Sequence, residues 1–269
     1  MALRRVNDLH LVVESAGRGE PVVFVHGSWD DRQVWANVEA DLVDRFHVVS
    51  YSRRGHGGSA GGPSPGSRRE DEDDLAALIQ TLGLVPAHVV ANSFGASIAL
   101  GMAGRRADLL RSLCVHEPPL FSLVADDPVA GALQSAVAGV VELIERGEPE
   151  KAARTFVETV LGPGAWDAIP ADERAGMTGH AATFADEQQD PTWADIDLAA
   201  LAEIAVPVLL TQGDQSPSMF SIVNARLADA LECAHVRTLS GVGHVPQQTH
   251  PAYYSAALRG FLTGSTSVA

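Results

Sequence analysis

Ser93 stands in Ala91-Asn92-Ser93-Phe94-Gly95, directly after the apolar pair Val89-Val90. The stretch differs by one methyl group, at Ala91, from G-x-S-x-G, a sharp strand-to-helix turn that presents a serine hydroxyl for attack. Small residues two before and two after the serine let strand and helix pass close together. The same letters also fit an ordinary turn with a serine N-cap, so the partners decide. A serine hydroxyl attacks a carbonyl only when a base takes its proton. His244, in Gly241-Val242-Gly243-His244, follows the last apolar run in a glycine-rich loop that can return it to the same edge. Of the other histidines, His26 is tied to the Gly27 turn, His116 lies in a buried run and His250 opens the closing helix. An acid must then hold the imidazole tautomer and balance its charge. Glu117, fixed by Pro118-Pro119 at the end of the run 111–117, and Asp214, in Gly213-Asp214-Gln215-Ser216-Pro217, are the candidates. Reach and orientation favour Glu117. The negative oxygen formed on the carbonyl needs N–H donors. Phe94 supplies one, and Ser28 a second, with Gly27 as its alternative.

These groups must be positioned by elements that the hydrophobic pattern outlines. Continuous apolar runs at 22–25, 46–51, 89–91, 111–117 and 206–211 read as strands buried on both faces of a parallel sheet. The runs 9–14 and 234–239 read as further strands. Helices are predicted over 32–43, 70–82, 94–105, 219–231 and 251–262. The acids Glu70 to Asp74 suit the first turn of their helix. Between 120 and 201 the strand runs vanish, and helices are predicted over 129–146, 149–161 and 172–187. Gly162-Pro163-Gly164, Pro170 and Asp190-Pro191 separate them. Alternating strands and helices imply a mostly parallel sheet with helices on both faces. The helical insert is too long for a loop and reads as a lid. The polar tail after Thr263 is expected to fray.

Composition narrows the partners. The chain has 269 residues, 46% of them hydrophobic, and a formal charge of −15. Such acidity repels phosphate backbones and argues against nucleic acid. The glycines of 55–58 match no phosphate-binding fingerprint. The two cysteines, Cys114 and Cys233, form no metal-binding or redox spacing, and Cys114 reads as a buried, inert thiol. No signal-peptide pattern and no run long enough to cross a bilayer stand out, so a cytoplasmic protein without membrane partners is expected. The sequence assigns neither metal nor organic cofactor, and a monomer or homodimer is expected.

The order of strand, His26-Gly27, Ser93 turn, helical insert and late His244 resembles the α/β-hydrolase fold family with a cap. The resemblance implies an eight-stranded, mostly parallel sheet, with a hydrolase core at 1–119 and 202–269 and a helical cap at 120–201. Most members place an Asp three residues beyond a Gly in the loop after the penultimate strand. Here that position is Ser216, which cannot serve, and some members place the acid where Glu117 stands. Family members that cleave esters use Ser at the turn, whereas haloalkane dehalogenases and epoxide hydrolases use Asp. The resemblance therefore implies a serine hydrolase acting on an ester or lactone of a small, largely apolar substrate. The same triad also supports C–C bond hydrolysis or cofactor-free perhydrolysis, and the fold also hosts non-catalytic small-molecule receptors. Trp29, Phe94, Trp166, Met177, Phe184 and Trp193 are candidates to line the pocket. Val115-His116-Glu117 with Pro119, and Ala165-Trp166-Asp167-Ala168, resemble stretches of the zearalenone-lactone hydrolases, which implies Glu117 as triad acid and Trp166 as a substrate contact.

Overall fold

A computed structural model describes residues 1–62 and 66–264, so the tail expected to fray lies, beyond Gly264, outside the described residues. One sheet of eight strands organises the chain. The strands are β1 (Ala2–Val6), β2 (Leu9–Ala16), β3 (Glu20–Val25), β4 (Phe46–Tyr51), β5 (Ala87–Asn92), β6 (Leu110–His116), β7 (Val208–Gly213) and β8 (Ala234–Leu239). Their spatial order is β1-β2-β4-β3-β5-β6-β7-β8. The first two join antiparallel and every later pairing is parallel.

The central strands read as unbroken apolar runs because both their faces are covered. Val23, Val25, Val89 and Ala91 turn to one face, beneath helices α2 (Arg68–Thr81), α3 (Phe94–Arg106) and α10 (Met219–Ala230). Val22, Phe24, Val48, Val90 and Cys114 turn to the other, beneath α1 (Ala36–Leu42) and α12 (Pro251–Leu262). Burial pushes the Cys114 thiol up to about 12, which leaves it protonated and unreactive.

Between β6 and β7 lie α4 (Pro128–Glu145), α5 (Pro149–Leu161), α6 (Ala165–Ala168), α7 (Ala171–Gly179), α8 (Ala181–Gln189) and α9 (Leu198–Ala202). No strand falls in this segment among the described residues. Helix α11 (Pro246–Thr249) precedes α12. The segment has its own apolar cluster, in which Val140, Ala152, Val157 and Phe184 pack around the core residue Trp29.

Three features depart from the sequence pattern. Strand β1 has four exposed residues out of five, so it carries no apolar alternation and only its pairing with β2 defines it. The helix expected over 172–187 breaks at His180, where φ −90° and ψ 2° separate α7 from α8. Gly176 and Gly179 weaken the helix there. The His180 ring is also drawn to the core, taking the Gly57 N–H at 3.2 Å and meeting the Trp29 carbonyl at 3.1 Å. Finally, α4 is long and apolar enough, at 18 residues and a mean hydropathy of 1.2, to cross a membrane by length and composition. In the fold Ala130, Val137, Val140 and Leu143 are buried against the protein.

Candidate active site

The carboxyl ends of β3, β5, β6 and β7 converge, as ligand crevices in open α/β sheets do. Ser93 sits between β5 and α3 at φ 54° and ψ −126°, a region that non-glycine residues rarely adopt. Its N–H donates to the His116 carbonyl at 2.9 Å, which fixes the turn to β6. Gly95 must lack a side chain, because a Cβ there would lie 2.4 Å from the His26 carbonyl oxygen. Ala91, by contrast, is accommodated fully buried on β5. The Phe94 N–H lies at the start of α3, where backbone donors have no acceptor within the helix.

His244 is held from three sides. Its Nδ1 lies 2.7 Å from Oε2 of Glu117. Its carbonyl accepts from the Asn92 side chain at 2.9 Å, and Gln247 donates to the same asparagine at 3.2 Å. Phe220 stacks on the imidazole with ring centroids 4.8 Å apart. With Nδ1 engaged, Nε2 is the nitrogen left for the cavity that His244 and Ser93 both line. Among the described residues no hydrogen bond joins Ser93 Oγ to His244. Such contacts are often long before substrate binds and tighten in the complex.

Glu117 is fully buried, immediately beyond β6, with φ 50°. Its Oε1 accepts the Gly213 N–H at 2.7 Å while Oε2 faces His244. Burial alone would raise its pKa. The hydrogen bond to His244, the neighbouring His116 and the Gly213 N–H outweigh that and hold the carboxyl below its ordinary value. His116 is pushed down to about 4, chiefly by burial, and is therefore neutral near pH 7. Asp214 lies elsewhere. Its exposed carboxylate accepts from Gly241 N–H at 2.8 Å and Ser240 Oγ at 3.1 Å, closing a surface turn.

The loop 26–30 faces Ser93 across the crevice. Gly27 is so close that a Cβ there would lie 3.1 Å from Ser93 Cβ. Beneath the loop lies Arg53, which is fully buried. It donates to the His26 and Gly27 carbonyls at 3.2 and 3.0 Å and pairs with Asp71 at 3.1 Å and Glu187 at 2.5 Å. Burial, working against the pull of Arg53, pushes the Asp71 carboxyl up to about 7. Removing one member of a buried ion network strands the others, at about 3–5 kcal/mol. Arg53→Met is therefore expected to lower the thermal midpoint by roughly 10 °C in a scanning calorimeter, at about 2–4 °C per kcal/mol for a chain near this size.

Two cavities meet at Ser93 and His244. One is narrow, about 40 Å³, and its walls include Phe94, Phe121, Leu133, Phe184, Trp193 and Phe220. The other is a wide cleft of about 620 Å³, with Trp29, Asp30, Asp31, Asp172, Glu173 and Met177 in its walls. Ser28 borders both. Burial, together with the charge of Asp31, pushes the Asp30 carboxyl up to about 7.

Of the sequence candidates, Ser93, His244, Glu117, Phe94, Ser28, Gly27 and Trp29 thus come together, and Asp214 does not. Trp166 departs from expectation. It is 2% exposed, packs in the cluster of the helical segment and borders neither cavity. The guanidinium of Arg174 lies 5.8 Å from its ring centroid. Phe220, Arg53 and Glu187 belong to the site region without a motif in the sequence, and Asn92 fills a variable position of the Ser93 turn. Phe220 sits in an ordinary amphipathic pattern, and the buried Arg53 lies in a turn that reads as polar.

Comparisons with known proteins agree with this fold. Residues 22–257 match the alpha/beta hydrolase family. A 2-(acetamidomethylene)succinate hydrolase from Mesorhizobium japonicum is 26% identical over 270 residues, covering 96% of this chain and 93% of that protein. A pimeloyl-[acyl-carrier protein] methyl ester esterase from Chromobacterium violaceum is 32% identical over 165 residues, 61% of this chain and 63% of the esterase. The crystal structure of an alpha/beta hydrolase from Sphaerobacter thermophilus superposes with a TM-score of 0.74 at 28% identity, covering 97% of this chain and all of the other. The chain belongs to the alpha/beta hydrolase family.

Proposed function

We propose that the protein hydrolyses a carboxylic ester or lactone of a small, uncharged, largely apolar substrate through an acyl-enzyme on Ser93, with the segment 120–201 as its cap. The carrying observation is the buried Glu117–His244 pair at 2.7 Å beside the cavity that Ser93 lines. Ser93 Oγ attacks the carbonyl carbon while His244 Nε2 takes its proton. The N–H groups of Phe94 and Ser28, with Gly27 as alternative, receive the negative oxygen. His244 then passes the proton to the departing alkoxide. Water attacks the acyl-enzyme with His244 again as base, and the acid leaves as Ser93 regains its proton. Glu117 stays ionised and steadies the imidazolium.

Wall chemistry supports the substrate class. The narrow pocket suits a short apolar arm. The cleft walls carry Asp30, Asp31, Asp172 and Glu173, with no Lys or Arg among them. The charge of Arg53 is already met by Asp71 and Glu187. A substrate carboxylate about 7 Å from one ionised acid would lose roughly 2 kcal/mol at an effective dielectric near 20. The dicarboxylate named for the Mesorhizobium relative is therefore a poor fit here, whereas a methyl ester, as named for the Chromobacterium relative, meets no such penalty.

A panel of 4-nitrophenyl esters and lactones of graded ring size tests this. Short-chain neutral esters are expected to be cleaved best, with Ser93→Ala inactive. A fluorophosphonate should label Ser93. Failure to label, with no turnover of any ester or lactone, would hand the protein to the receptor reading. Charge gives a second check. Asp30 is protonated below about pH 7 and ionised above it. The ratio of kcat/KM for an anionic ester to that for its neutral isostere should therefore fall as pH rises from 6 to 8. Effects common to both substrates cancel in this ratio, and Asp30→Asn should flatten it.

A further inference from the structure

We propose that Glu187, on α8, is a positioning residue for the oxyanion donor at Ser28, so that docking of the cap helix and assembly of the oxyanion site are one event. This rests on the serine-hydrolase reading above. Loop 26–30 lies outside the sheet ladder and is held by individual hydrogen bonds. Two carbonyls, of His26 and Gly27, are held from below by Arg53. Arg53 also donates its backbone N–H to His26 Nε2 at 2.9 Å. Two further fastenings come from the cap. His180 meets the Trp29 carbonyl at 3.1 Å, and Glu187 Oε2 accepts from Ser28 Oγ at 2.6 Å. The residue that supplies the N–H is thus anchored by a carboxylate 159 positions further along the chain.

Among the described residues the carboxylate's hydrogen bonds go to Ser28 and Arg53, with His56 Nε2 further off at 3.8 Å. Glu187 is 5% exposed, and its Oε1 meets Arg53 Nη2 at 2.5 Å while Oε2 meets Ser28. A buried carboxylate is tolerated only where such partners replace its water. Lifting α8 away would strip Glu187 from Arg53 and release Ser28 together. Arg53 binds the Gly27 carbonyl through the same Nη2, so the ion pair and the loop backbone share one nitrogen.

Proton accounting specifies what Ser28 can offer. A serine hydroxyl has a single proton to donate. Here that proton is committed to Glu187 Oε2. The group left to meet the substrate oxygen is the backbone N–H, and Glu187 fixes its direction by holding the side chain. Oxyanion donors act on the transition state rather than on the bound substrate, so their misplacement lowers kcat and spares KM.

Two variants test the assignment. Glu187→Gln removes the charge and lets an amide N–H turn toward Ser28. Ser28→Ala removes the hydroxyl but leaves the Arg53–Glu187 pair, so it keeps the fold if the first variant does not. Both are expected to lower kcat about 10- to 100-fold with KM changed less than about threefold. Turnover is counted per active site titrated with fluorophosphonate. Hydrogen-exchange mass spectrometry should show faster exchange confined to peptides spanning 26–30 in both variants. A role in packing alone would lower the thermal midpoint while leaving kcat per titrated site unchanged. That result, or unaltered exchange in the loop, would overturn the proposal. Were the wild type to hydrolyse none of the esters, the serine-hydrolase reading would fail, while the exchange comparison would still decide whether Glu187 sets the loop.

Discussion

Ser93→Ala is expected to reduce ester hydrolysis by roughly 10⁴- to 10⁶-fold, the range seen when the attacking group of a serine triad is removed. The fold should survive, because the strained turn is held by the backbone. The Ser93 N–H bonds the His116 carbonyl, and Gly95 lets α3 pass against the His26 carbonyl. A stopped assay sensitive to one turnover per hour, run beside a thermal melt, separates chemistry from folding. Wild-type rates in a properly folded Ser93→Ala protein would end the proposed mechanism.

Glu117→Gln should cost about 10³- to 10⁴-fold in kcat, whereas Asp214→Asn should stay within about threefold of wild type. A glutamine amide offers its N–H₂ where the imidazole requires an acceptor, and it cannot balance the imidazolium that forms during proton transfer. Glu117 is the carboxylate at 2.7 Å from His244, and Asp214 is an exposed turn-closing group tied to Ser240 and Gly241. The two measurements answer each other, since the reverse pattern would move the acid to the loop after β7. Glutamine has one acceptor oxygen for the two donors that Glu117 serves, so if that oxygen meets the imidazole instead, the Gly213 N–H loses its partner. Some decrease in melting temperature should accompany the kinetic loss.

The parts of the site that were legible in the sequence share a physical reason. The Ser93 turn and the glycine-rich loop of His244 are local, so strand, turn and helix within a few residues dictate their geometry. Glu117 was legible because a charged residue closing an apolar strand, followed by two prolines, has few other uses. The parts that were not legible depend on long-range contacts. Trp166 carries the letters of a substrate contact, but the aromatic face that buries it belongs to its own helical segment. The break at His180 comes from hydrogen bonds to Gly57 and Trp29, which lie 123 and 151 positions away. Glu187 sits in an unremarkable helical stretch, and only folding brings it to Arg53 and Ser28. Strand β1 has no buried face to leave a periodic trace.

The acid position also shapes how this lineage can change. Asn92 pairs with His116 in the sheet register, so Ser93 and Glu117 each follow directly on neighbouring strands laid down within the first 117 residues. On the proposed mechanism the turn Gly213–Pro217 carries no demand for a carboxylate at Ser216. Substitutions can accumulate there under selection for shape alone. With Glu117 as the proposed acid, a recognition pattern that insists on an aspartate after β7 would pass over this chain.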